Sequence, residues 1–147
     1  MKRQALFVDY IGMSINDFYK LHYAQKSKSK DICMKHVVKA VEEYKIETIT
    51  YPVKITFQPI LGNNLSGRCK RAYDIVNYAA TIKMIEDSLV QLGILENDSN
   101  SFVYAHTCEK AIIDRTKIRT GMLIIIEEAE IKEDYLDKLL KKNKIVL

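Results

Sequence analysis

An α+β domain is the fold class that the sequence predicts, with helices packed on a mixed or antiparallel sheet. Three observations carry it. Short stretches of alternating apolar and polar residues mark half-buried strands. Apolar stripes spaced by three and four residues mark isolated helices between them. Near the C-terminal end, two strand-like runs are joined by a linker of hairpin length. The predicted order is β, α, β, α, β, β, α. No internal repeat or boundary divides the 147 residues, so residues 1–147 are expected to form one domain, with 131–147 as a C-terminal helical extension.

The elements follow in chain order. Residues 5–11 are a short β-branched and aromatic run, read as the first strand. Asn16, Tyr19 and Tyr23 fall in a polar, aromatic loop. The Ser/Lys alternation of residues 20–30 lacks apolar periodicity and predicts a mobile loop carrying Lys26, Lys28 and Lys30. Asp31 is a suitable cap for a helix reaching Lys45, with Cys33, Val37, Val38, Val41 and Tyr44 as its stripe. Val53, Ile55 and Phe57 alternate with Lys54, Thr56 and Gln58 in a strand over 50–60. Residues 62–71 read as a second flexible segment, ending in Arg68, Lys70 and Arg71. From Asp74 to Leu92 a helix is expected on the stripe Tyr78, Ile82, Ile85, Leu89 and Leu92, and Gly93 can stop it. Strands over 101–109 and 117–127 flank the linker 110–116. The last helix, over 131–143, has Tyr135, Leu136, Leu139 and Leu140 on one side and Lys138, Lys141, Lys142 and Lys144 near its end, where cations suit the helix dipole.

Composition excludes several classes. At 48% hydrophobic and 29% charged residues the chain is ordinarily globular. A chain of this length can bury roughly 70% of its unfolded surface and needs no staples. Cys33, Cys69 and Cys108 are odd in number and form no CxxC pair, which argues against a zinc knuckle and for reduced thiols. His22, His36 and His106 are scattered. The longest apolar run, Met122 to Ile126, is of strand length, so no membrane span is read. The N-terminal run before Asp9 is too short for a secretion signal, and a cytoplasmic location is expected. The net charge of +4 is a mild basic bias that permits nucleic-acid binding without requiring it.

The stretch with chemical content is Asp74-Ile75-Val76-Asn77, then Lys83, Glu86-Asp87, Leu89 and Gly93-Ile94-Leu95-Glu96-Asn97-Asp98. Acids at Asp74 and Asp98 stand at the two ends of one predicted helix. Hard cations such as Mg²⁺ take one or two carboxylates and keep several waters. Asp74 and Leu92 are nevertheless roughly 27 Å apart along a helix, so Asp98 must return along the next element to meet Asp74. A structural account covers the same residues: Asp74 as an N-cap, Asn97-Asp98 as a turn, and Lys83 with Asp87 as a surface pair. Spacing alone leaves both open.

The same stretch resembles the signature of RusA-type Holliday-junction resolvases, above all the phage and prophage variants. The family pattern Asp-x-Asp-Asn, a helical Lys, Asp-x-Leu-Val and Leu-x-(Asn/Asp)-Asp reads here as Asp74-Ile75-Val76-Asn77, Lys83, Asp87-Ser88-Leu89-Val90 and Leu95-Glu96-Asn97-Asp98. Ser14 to Tyr19 is similar to the family's Asn/Tyr loop, and Tyr51 to Ile55 resembles its second strand. The likeness spans roughly residues 5–128.

The resemblance implies a RusA-like domain in a bacterial or phage-infected cell, acting as a homodimer on branched DNA such as a four-way junction. It implies a Mg²⁺- or Mn²⁺-dependent endonuclease that hydrolyses phosphodiesters in recombination or repair. Asp74 and Asp98 would then be metal ligands, Lys83 would neutralise charge on the phosphate, and Asn77 could add a carbonyl oxygen. Lys26, Lys28, Lys30, Arg68, Lys70 and Arg71 would contact DNA phosphates. Val76 stands where the family has its second acid. That departure implies weaker metal binding, or a protein that binds branched DNA without cleaving it.

Overall fold

The computed structural model describes residues 2–63, 72–99, 101–130 and 135–147, with the side chains of 135 and 136 excepted. Its elements are β1 (Arg3–Val8), α1 (Ile15–Tyr19), α2 (Tyr23–Glu43), β2 (Val53–Leu61), a 3₁₀ turn (Ile75–Tyr78), α3 (Ala79–Gln91), β3 (Val103–Cys108), β4 (Ile112–Ile113), β5 (Gly121–Glu128) and α4 (Tyr135–Lys142). The architecture is α+β, with a mixed sheet of five strands and helices packed on it.

The strand order is β1-β5-β2-β3, and β4 pairs with β2. β5 is antiparallel to both β1 and β2, while β3 and β4 run parallel to β2. Alternation decides which face is covered. In β2, Val53, Ile55, Phe57 and Leu61 are buried, as are Leu6 and Val8 of β1 and Ile124 and Ile126 of β5. Cys33, Val37 and Ala40 of α2 and Ile82, Ile85 and Leu89 of α3 join these residues in one core.

The linker 110–116 is not a hairpin. β3 and β5 do not pair, because β2 lies between them. β3 runs beside residues 53–57 of β2, and β4 then continues along the same edge, with Ile112 and Ile113 opposite Ile60 and Leu61. The chain next crosses the end of β2 to reach β5. There Asn63 N donates to the Lys117 carbonyl at 2.7 Å, and Arg115 Nη1 donates to the Gly62 carbonyl at 2.6 Å. A Cβ on Gly62 would strike the carbonyls of Arg119 and Lys117, so this crossing requires glycine.

Two predicted loops are helical. Residues 15–19 form α1, with the Ser14 hydroxyl accepting from Asp17 N at 3.3 Å. α2 starts at Tyr23, well before Asp31, which is an interior residue. His22 caps it: its Nδ1 accepts from Ala24 N at 3.4 Å, and the Gln25 side chain accepts from His22 N at 3.3 Å. This is a capping box built from a residue outside the usual Ser/Thr/Asp/Asn set. The first turns of α2 show no apolar stripe because they are largely exposed, yet Ala, Gln and Lys are good helix formers. Lys45, at φ 51°, ends the helix.

The long central helix is divided. Residues 75–78 form the 3₁₀ turn and α3 follows, ended by Gly93 at φ 74°. Tyr73 Oη donates to the Gly12 carbonyl at 3.2 Å, and Gly12 N donates to Thr81 Oγ1 at 3.0 Å. These bonds fix the loop after β1 against the start of α3.

Candidate functional site

Gly93 reverses the chain, and the segment after it returns beside α3. Buried Ile94 and Leu95 anchor that segment, and Ile49 N donates to the Ile94 carbonyl at 2.8 Å. An Asx turn follows, in which Asn97 Oδ1 accepts from Ser99 N at 2.8 Å. The result is a meeting of three residues from two parts of the sequence. Lys83 Nζ lies 2.8 Å from Asp98 Oδ2 and 3.1 Å from Asp87 Oδ1. Asp98 holds its carboxyl below the usual range because the Lys83 ammonium donates to it. The Lys83 ammonium is held charged by its bonds to Asp98 first and Asp87 second.

Glu86, which lies within the stretch with chemical content but carries no expected role there, stands beside this cluster. It is 94% buried by its 6% residual exposure, and Oε1 makes no hydrogen bond among the described residues. His106 Nδ1 of β3 approaches Oε1 at 3.2 Å, an ion-pair contact. Burial pushes the Glu86 carboxyl up; His106 and Lys83 oppose this, and Asp98 and Asp87 add to it. Phe57 packs edge-on against the His106 ring. A helix stripe read for apolar residues passes over a buried acid, so the sequence offers Glu86 as part of the informative stretch without showing that it is buried.

Asp74 is placed elsewhere. Its carbonyl accepts from Asn77 N at 2.8 Å, but its side chain makes no capping bond. The rise of the 3₁₀ turn and the first turn of α3 sets its Cα on the order of 15 Å from that of Lys83. Asp98 meets Lys83 and Asp87. Val76 is 70% exposed, whereas Asn77 Oδ1 is buried without a hydrogen bond among the described residues.

No group of three or more His, Cys, Asp or Glu side chains among the described residues is arranged to hold a metal ion. Asp87 and Asp98 are two acids that do meet: they already share one positive charge, with Lys83 Nζ standing in for a cation between them. Mg²⁺ uses one or two carboxylates and completes its shell with water.

The expected basic loop is part of α2. Lys26 lies with its ammonium 5.6 Å from the Phe18 ring centroid. Lys30 is one turn beyond it on the same side, and Lys28 projects from another side of the helix. Lys30 also lines an open cleft of about 440 Å³ between α2 and α3, with Asp31, Met34, Asp87 and Asp98. Arg68, Lys70 and Arg71 lie outside the described residues, as does Cys69. Cys33 is buried, which pushes its thiol up to about 12 and keeps it unreactive. No helix among the described residues is long and apolar enough to cross a membrane.

No protein-family model matches the chain, and no curated protein matches it.

Proposed function

We propose that this chain is a structure-specific endonuclease of the resolvase kind, binding branched DNA such as a four-way junction as a homodimer and hydrolysing phosphodiesters. One observation carries the reading: Lys83, Asp87 and Asp98, three residues of the resolvase-like signature, converge although 15 positions separate the first from the last, and the two acids line an open cleft. A bound Mg²⁺ or Mn²⁺ would polarise the scissile phosphate and activate water. Asp87 and Asp98 would hold it, with Lys83 moving from between them. Released from that position, the Lys83 ammonium is a donor for a phosphate oxygen. Lys26, Lys28 and Lys30 of α2 supply positive charge for the DNA backbone.

A second reading has its own observation. Val76, 70% exposed, stands where the resemblance implies an acid, so the ligand set that the resemblance implies is incomplete. The protein would then bind junctions without cutting them.

The deciding experiment incubates the purified protein with a synthetic four-way junction, with and without Mg²⁺ or Mn²⁺, and scores binding and nicking separately. Metal-dependent paired nicks support the endonuclease. Salt-sensitive binding with no nicks in either metal selects the second reading, and no preference for the junction over linear duplex rejects both.

A further inference from the structure

A second charge cluster lies at the C-terminal end of β1, apart from the Lys83 site. Asp9 Oδ1 is 2.8 Å from His36 Nδ1, and Oδ2 is 3.2 Å from Lys39 Nζ and 3.7 Å from Arg119 Nη1. Three elements supply it: β1's end, one face of α2, where His36 and Lys39 are three residues apart, and the segment before β5. The Tyr10 ring stacks on His36 with centroids 5.3 Å apart. Burial pushes the Asp9 carboxyl up, but hydrogen bonds from His36 and Lys39 outweigh it and leave it below its ordinary value.

The donors exceed what one carboxylate can accept. A lysine ammonium has three N–H groups, a guanidinium five, and an imidazolium two. Arg119 makes no hydrogen bond among the described residues, since 3.7 Å is too long for one. The arrangement is also layered. The Asp9 side chain is 18% exposed, whereas those of His36, Lys39 and Arg119 are 35%, 55% and 51% exposed. The carboxylate lies beneath, and the cations surround it on the solvent side with unused donors. Two fixed positive charges against one negative leave a local surplus even with His36 neutral. His36 is held through Nδ1, which leaves Nε2 as its other ring nitrogen, a donor once the ring is an imidazolium.

We propose that this rim is an anion site for a phosphate group, with Lys39 and Arg119 as its donors, joined by His36 Nε2 when the imidazole is protonated, and that a DNA backbone phosphate occupies it. The chemistry is that of charge-assisted hydrogen bonds to phosphate oxygens, for which a guanidinium fork is well shaped. None of these three residues belongs to the resolvase-like signature. The phosphate site stands on the cluster alone; its occupation by DNA rests on the function proposed above.

The test follows the imidazole and guanidinium NMR signals of His36 and Arg119 while inorganic phosphate is added to the full chain. The wild type is expected to shift both signals saturably, and Lys39→Gln/Arg119→Gln to lose the His36 response. Both substituted side chains are about half exposed, so folding is retained, and the Tm checks it. Asp9→Asn, which removes the competing carboxylate, is expected to tighten phosphate binding several-fold. No saturable response to phosphate, or an undiminished one in the double variant, overturns the site. A junction-binding titration against salt then identifies the source. Loss of the two cations is expected to reduce the slope of log K against log salt by about 2 and to weaken binding roughly ten-fold at low salt. An unchanged slope with an intact phosphate response overturns DNA as the occupant and assigns the site to a free phosphate group. A wild type that responds to phosphate yet binds no junction refutes the junction reading and leaves the phosphate site standing.

Discussion

The two charge clusters of this protein are near inversions of each other. At the end of β1 one carboxylate, Asp9, is surrounded by His36, Lys39 and Arg119. Beside α3 one ammonium, Lys83, is shared by Asp87 and Asp98, with Glu86 close enough to feel all three charges. In both, the central group is satisfied and the surrounding groups are not. The surplus therefore sets the sign of what each cluster attracts: anions at the first, cations at the second. Burial distinguishes them further. Asp9 has hydrogen bonds to outweigh its desolvation, whereas Glu86 Oε1 has none. A buried carboxylate oxygen without a hydrogen bond costs stability, and such costs concentrate at functional sites.

Removing the carboxylate that completes the acidic cluster is the largest expected change. Asp98→Asn is expected to reduce nicking by roughly 100-fold or more while leaving junction binding equal or tighter, because it removes negative charge facing the phosphates. Gel assays of nicking and binding on the same samples check this. Equal loss of both would mean that Asp98 acts through folding or docking, and the contrast between the clusters would fail.

Glu86→Gln has a smaller effect, on stability. Burial raises the Glu86 pKa, so the folded chain takes up the proton more readily than the unfolded one. The sign follows: ionised Glu86 lowers stability above its folded pKa, and that loss is relieved as pH falls toward the ordinary glutamate value. Glu86→Gln is therefore expected to stabilise by about 1 kcal/mol near pH 7, a Tm rise of roughly 2–4 °C. The gain should vanish near about pH 4, where the native glutamate is itself protonated. Thermal melts across this range decide it; a lower Tm at neutral pH would show that the His106 contact outweighs burial.

The smallest effect is expected from Val76→Asp. With 70% of the residue exposed, stability should change by no more than about 0.5 kcal/mol. Isothermal titration with Mn²⁺ tests the separation of Asp74 from the acidic cluster. Unchanged affinity is expected if Asp87 and Asp98 hold the cation. A clear gain would place the cation at the start of the helix instead.

The sequence by itself determined the elements whose signal is local. The alternation of β2 and the stripe of α3 are written in neighbouring residues, and Gly93 is the one residue type that enters a positive φ there without strain. The α+β class followed from those periods. The extent of α2 was not legible, because exposed helical turns carry no apolar stripe and its cap is a histidine. Tertiary structure alone decided the rest. β2 inserts between β3 and β5, so a linker of hairpin length becomes part of an edge. Asp98 was legible as a candidate, but its partner was not: the return of the chain after Gly93 brings it to Lys83, while Asp74 stays at the far end of the helical segment. The burial of Glu86 and the Asp9 cluster left almost no trace in the sequence. A single acid in a stripe or at a strand's end acquires meaning only from charges that other elements carry to it, and attraction between charges depends on distance through space, not along the chain.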